Sequence, residues 1–179
     1  MKKNVALFGL GRIGVMHAKN IVLNSKLKLK YVYDINQKIS KIYSKKLKCI
    51  NLKNPSKAFS DKSIDIIFIS STTSTHIPLI TKSVKSKKIV FCEKPLDLNI
   101  NKVIKCKKYI KKYKPKIQLG FNRRYDPGHF HLKKSLLSGK IGKLEKIIIT
   151  SRDPAPPSIN YLKNSGGIFR DMTIHDFDL

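Results

Sequence analysis

The stretch Val5-Ala6-Leu7-Phe8-Gly9-Leu10-Gly11-Arg12-Ile13-Gly14 constrains the fold more than any other part of the chain. A short apolar run breaks into three glycines at the spacing GxGxxG, and a helical pattern follows with Ile13, His17 and Ile21 on one side. Such a run, bounded by glycine, suits a parallel strand buried on both faces. Gly9 permits the tight turn, Gly11 lets a pyrophosphate approach the backbone, and Gly14 lets the helix pack closely on the strand. The helix beginning near Arg12 aims its free N–H groups and the positive end of its dipole at the phosphates, which adds Arg12 and Ile13 to the candidate contacts. The spacing acquires meaning from its context: a strand before, a helix after, and Asp34 about 20 residues on. Together these features predict a doubly wound, Rossmann-type α/β sheet that binds NAD.

Asp34 closes the alternating run Leu27-Lys28-Leu29-Lys30-Tyr31-Val32-Tyr33, which reads as a second strand ending at the cofactor edge. A carboxylate there takes the adenosine ribose hydroxyls and repels the extra phosphate of NADP, so NAD is expected over NADP. The plainer role for Asp34 is that of a turn residue before Ile35-Asn36. A lysine-rich helix from Ile35 to Lys46, a short Cys49-Ile50 strand and a small helix at 55–59 come next.

The run 64–69, apolar except for Asp65, is expected as another buried strand. It ends in Ser70-Ser71-Thr72-Thr73-Ser74-Thr75-His76, where hydroxyl side chains meet a ligand at a strand's carboxyl end. One hydroxyl is expected to cap the next helix. Ser71, Thr72 and His76 are therefore cofactor candidates, although a histidine at a helix start is commonly structural. Strand 88–92 runs into Glu93-Lys94-Pro95, where proline stops the strand and a lysine can polarise a substrate oxygen. A helix over 99–113 and a last strand over 117–121 complete the expected cofactor domain, residues 1–121. The remainder, 122–179, is expected to begin a second domain with a helix over 129–137 and a strand over 143–151.

The formal charge of +27 raises the possibility of a nucleic-acid or other polyanion surface. The lysines, however, are spread along the whole chain and heavily outnumber the arginines, beside abundant Ile and Asn, which is the pattern of a compositional bias. Arg-rich patches interleaved with aromatic residues are missing, so no specific nucleic-acid partner is expected. No run of eighteen apolar residues occurs, Met1-Lys2-Lys3 leads straight into the first strand, and Cys49, Cys92 and Cys106 form no CxxC pair. These features predict no membrane span, no signal peptide, no metal site, and a reducing, cytoplasmic setting.

Four separated motifs carry a family resemblance: Gly9-Leu-Gly-Arg-Ile-Gly14, Glu93-Lys-Pro95, the segment 120–127 (GFNRRYDP), and the segment 166–176 (GGIFRDMTIHD). The chain resembles the Gfo/Idh/MocA oxidoreductases, and segment 151–157 (SRDPAPP) brings it nearest to their inositol 2-dehydrogenase branch. That resemblance implies NAD-dependent oxidation of a cyclic polyol, foremost myo-inositol to 2-keto-myo-inositol, with another sugar or a non-catalytic NAD-binding remnant as alternatives. It implies that Lys94 touches nicotinamide and substrate, and that Asp171 and His175 are the catalytic pair. Their spacing of four places both on one face of a single helix, where a carboxylate can orient an imidazole. Glu93 and Asn122 are expected at the cofactor, Arg123, Arg124 and Asp153 at the substrate, and Asp176 and Asp178 in structural or solvated positions. Relatives carry a larger second domain that builds a homo-oligomer. Because this sequence ends at Leu179, most of that domain is expected to be missing, as in a fragment, or to come from another chain.

Overall fold

The structure, a computed structural model, describes residues 1–152 and 155–179. The chain divides into two compact units, Met1–Gly120 and Phe121–Leu179.

In the first unit strands and helices alternate: β1 (Lys3–Phe8), α1 (Arg12–Leu23), β2 (Leu27–Tyr33), α2 (Gln37–Lys46), β3 (Ile50–Asn51), α3 (Ser56–Ser60), β4 (Ile66–Ile69), α4 (His76–Lys85), β5 (Ile89–Cys92), α5 (Ile100–Lys111) and β6 (Ile117–Leu119). All six strands pair in parallel, in the order β3-β2-β1-β4-β5-β6. That is the doubly wound order, with its switch point between β1 and β4, where such sheets hold ligands beyond the strands' carboxyl ends.

β1 lies at the centre, and its side chains alternate between two cores. Val5 and Leu7 join Ala18 and Ile21 of α1 on one face of the sheet. Ala6 and Phe8 join Ala58 of α3, Ile80 and Val84 of α4 and Ile110 of α5 on the other. Covering both faces is what requires a strand without polar alternation. Cys49, Cys92 and Cys106 are free thiols, and burial pushes Cys49 up to about 11.

The amino edge of the sheet is held by acids. Asp61 accepts hydrogen bonds from Lys30 Nζ at 2.8 Å, Tyr31 Oη at 2.8 Å and Ser63 Oγ at 2.7 Å. Asp65 takes Lys3 Nζ and the Asn4 N–H, both at 2.8 Å. Lys88, buried at the start of β5, donates to the carbonyls of Asp61 and Ile64 at 2.7 and 2.8 Å, and desolvation draws its ammonium below the usual lysine range.

The second unit contains α6 (Pro127–Leu137), α7 (Ile159–Ser165), α8 (Ile168–Asp171) and α9 (Ile174–Phe177). The expected strand over 143–151 is not formed. Ile147, Ile148 and Ile149 are exposed, and no described segment supplies the ladder partner that a strand requires. Asp171 and His175 do not share one helix either. Met172 and Thr173 form a turn between α8 and α9, in which the Thr173 N–H bonds Ile168 O, five residues back, at 3.0 Å. That extra residue breaks the i to i−4 ladder, and Thr173 Oγ1 competes for Phe169 O at 3.4 Å.

Hydrogen bonding by Lys30, then by Ser63 and Tyr31, holds the Asp61 carboxyl well below its ordinary value of 3.8. A depressed carboxyl stabilises the fold above its unfolded value, and that stability disappears as pH falls through the folded value. Asp61→Asn should cost about 1–3 kcal/mol at pH 7. Its deficit relative to the wild type should shrink steadily below about pH 4 in urea melts followed by circular dichroism.

Candidate functional site

The carboxyl ends of β1, β2, β4 and β5 gather the predicted cofactor residues. Gly9 follows β1 with φ of +93°, a conformation that favours glycine, and a Cβ there would sit 2.5 Å from Ser71 N. At Gly14, on the first turn of α1, a Cβ would lie 2.1 Å from Gly9 O, so helix and loop touch backbone to backbone. Ser70 Oγ locks that contact, at 3.2 Å from Phe8 O and 3.0 Å from Gly9 O. Gly11 differs, since a Cβ there would meet nothing within 4 Å. Gly11, Arg12 and Ile13 are exposed around this open space, at the end of a helix whose first-turn N–H groups have no intrahelical acceptor. An open cradle beside such N–H groups fits a pyrophosphate.

Asp34 performs the turn role and leaves room for the other. Its Oδ2 accepts from Leu10 N at 2.7 Å and its Oδ1 from Asn36 N at 2.8 Å, tying the glycine loop to the end of β2. A carboxylate has about four acceptor sites, so two such bonds leave capacity for ribose hydroxyls.

After β4, Ser71 Oγ and Thr75 Oγ1 hydrogen bond at 2.6 Å, and Thr75 Oγ1 donates to Thr72 O at 2.7 Å. The expected hydroxyl cap of α4 is not made. A 3₁₀ turn, Thr73–Thr75, runs directly into the helix, so backbone carbonyls take those N–H groups. Thr72 is exposed, whereas His76 is buried with its Nδ1 2.7 Å from Pro95 O and its Nε2 3.0 Å from Ser71 O. His76 thus fastens the β4 loop to the β5 turn and presents neither nitrogen to a ligand.

Glu93 is similarly engaged. Its Oε1 accepts from His17 Nε2 at 2.6 Å and its Oε2 from the Lys94 N–H at 3.2 Å. The carboxylate occupies the space that a Cβ on Gly120 would take, 2.7 Å away. The sequence pattern groups His17 with Ile13 and Ile21 on one side of α1 and gives it no role. The available signal was a histidine among apolar helix positions, together with a glutamate closing an apolar strand.

In the second unit, Asn122, Arg123 and Arg124 lie in a 3₁₀ turn, Asn122–Tyr125, with Asn122 exposed. Both arginines are held by acids. Arg123 pairs with Asp176 and donates to Ser151 Oγ at 3.1 Å. Arg124 grips Asp178 with two bonds, at 2.7 and 2.5 Å, and holds that carboxyl below the usual range. Asp176 and Asp178 accordingly have the structural role expected of them. Asp171 Oδ1 accepts from Tyr161 Oη at 2.8 Å, and the His175 ring meets the edge of Phe121 at 6.2 Å. Asp171 and His175 are both half-buried. Asp153 lies outside the described residues. Among the described residues no cluster of three or more His, Cys, Asp or Glu is placed to hold a metal, and no helix is long and apolar enough to cross a membrane.

The parallel sheet, the glycine cradle and the acid at the end of β2 define a dinucleotide-binding domain. Residues 3–121 match the GFO_IDH_MocA family, described as an oxidoreductase family with an NAD-binding Rossmann fold, and the chain belongs to that family. The inositol 2-dehydrogenase of Rhizobium meliloti (strain 1021) is 41% identical over 100% of this chain and 54% of its own length. The crystal structure of a myo-inositol dehydrogenase from Corynebacterium glutamicum ATCC 13032 superposes with a TM-score of 0.93 at 43% identity, covering 99% of this chain and 54% of that one. Scyllo-inositol dehydrogenase from Lactobacillus casei, with bound NAD(H) and scyllo-inositol, gives a TM-score of 0.86 at 31% identity over 99% and 55%. The chain spans about half the length of these relatives.

Gly11 and Gly14 should differ in how much a methyl group costs. Gly14→Ala should cost about 2–4 kcal/mol, because the opposing atoms are backbone and cannot swing away. Gly11→Ala should cost about 1 kcal/mol or less, since it enters open space at a helix N-cap. Guanidinium denaturation of both variants measures the difference.

Proposed function

We propose that the chain provides the NAD-binding domain and the start of the substrate domain of a dehydrogenase that oxidises a cyclic polyol, foremost myo-inositol to 2-keto-myo-inositol. The observation that carries this reading is the edge of the sheet. A cradle for the pyrophosphate stands after β1, a carboxylate for the adenosine ribose after β2, and Lys94 after β5, in a chain 41% identical to an inositol 2-dehydrogenase.

In this mechanism NAD, when bound, supplies the acceptor for the substrate's carbinol hydride. His175 accepts the hydroxyl proton, and Asp171 orients the imidazole and stabilises its protonated form. Lys94 steadies the charge that develops on the substrate oxygen and helps pass the proton on. Gly9, Gly11, Arg12, Ile13 and Gly14 hold the pyrophosphate, Asp34 the adenosine ribose, and Ser71 and Thr72 border the cofactor. Asn122 is assigned to the same cofactor, and Lys94, Arg123, Arg124 and His175 to the substrate. A full-length form with the family's second domain would assemble as a homo-oligomer.

Scyllo-inositol is the second substrate reading, favoured by the similarity to the Lactobacillus casei enzyme bound to it. The remaining alternative is a chain that binds NAD without turnover.

Absorbance of NADH in the presence of NAD and either inositol tests the activity. The preferred inositol should give product, and His175→Ala should lower turnover by about a hundredfold or more. NAD binding without product from any polyol would favour the binding-only alternative. Asp34→Asn, which removes the charge but keeps an acceptor, should weaken NAD binding about tenfold and narrow the preference over NADP, as read by calorimetry.

A further inference from the structure

On the reading that this domain binds NAD, we infer that His17 is a positioning residue, setting the Lys94 turn at the nicotinamide end from a helix whose own start serves the phosphates. His17 lies in the second turn of α1, with its side chain 17% exposed. Its ring packs on Phe68 of β4 at 4.7 Å and on Phe91 of β5 at 5.4 Å, and those two rings stack at 4.0 Å. The aromatic bed fixes the imidazole plane, and Nε2 then reaches Glu93 Oε1 at 2.6 Å. A carboxylate only accepts, so the tautomer is set with the proton on Nε2. The other Glu93 oxygen takes the N–H of Lys94 itself.

Gly120, at the end of β6, leaves the volume that the carboxylate fills. Glu93 is thus held by α1 on one side, by its own turn on another and by β6 beneath. His76 secures the far side of the same turn by binding Pro95 O. In a doubly wound sheet the two halves of a dinucleotide lie on opposite sides of the switch point between β1 and β4. With Asp34 marking the adenosine half at β2, the β5 turn belongs to the nicotinamide half. The bond from His17 to Glu93 therefore couples the helix that receives the pyrophosphate to the turn that carries Lys94.

Two measurements on the 179-residue chain test this inference, using His17→Phe, which keeps the aromatic packing but loses the N–H, and His17→Gln, which restores a donor. The first is amide hydrogen exchange without ligand. The Lys94 amide should exchange about tenfold faster in His17→Phe and return toward wild type in His17→Gln, with β1 and α1 amides unchanged. Equal protection of Lys94 in wild type and His17→Phe would overturn the coupling.

The second is calorimetric binding of NAD against ADP-ribose, which lacks nicotinamide. His17→Phe should weaken NAD about tenfold and leave ADP-ribose within about twofold. Equal weakening of both ligands would overturn the assignment to the nicotinamide end and mark His17 as a general support of α1. If the wild-type chain binds neither ligand, the NAD reading and the assignment to nicotinamide fail together, while the exchange result separately decides whether His17 sets the Lys94 turn.

Discussion

The backbone contact between the first turn of α1 and the end of β1 is the constraint from which the rest of the site follows. Gly14 must lack a side chain because Gly9 O occupies that volume, and Gly9 must lack one because Ser71 N and the Ser70 carbonyl occupy the position of its Cβ and its φ is +93°. With α1 seated so low, its N–H groups open on the space beside Gly11, and its inner face brings His17 onto the aromatic pair Phe68 and Phe91. One close approach thus places the open cradle at Gly11 and the support of the Lys94 turn together. A side chain at Gly14 would disturb both.

Acidic residues are scarce, 11 against 38 lysines and arginines, and four of the five in the first unit hold points of convergence. Asp34 ties the glycine loop to β2, Glu93 ties the Lys94 turn to α1, and Asp61 and Asp65 gather cations and amides at the opposite edge. Net charge so far from zero makes a compact state repel itself, which raises the value of each such point. The second unit uses the same device, with Asp176 and Asp178 engaging Arg123 and Arg124.

Much of the first unit was legible because its signals are local. The apolar runs at β1, β4 and β5, and the glycines after β1, follow directly from a parallel sheet covered on both faces. Helix ends were less legible, because Lys48, Lys87 and Lys114 stand at positive φ after α2, α4 and α5, where glycine is the usual sign of a stop. The pairing of His17 with Glu93 spans 76 residues and leaves no mark on local spacing. Four-residue spacing likewise suggested one helix for Asp171 and His175, whereas the turn at Met172-Thr173 depends on hydrogen bonds that spacing does not encode. The 143–151 segment has a strand's composition, but pairing requires a neighbour as well.

In the proposed function the space beside Gly11 receives the pyrophosphate of NAD. Calorimetric titration of the 179-residue chain with NAD, beside the same titration of Gly11→Val, tests it most directly. The account predicts saturable binding by the wild type and loss of that binding in Gly11→Val, with both proteins folded by circular dichroism. Equal NAD affinity in the two proteins, or no binding by a folded wild-type chain, would contradict it.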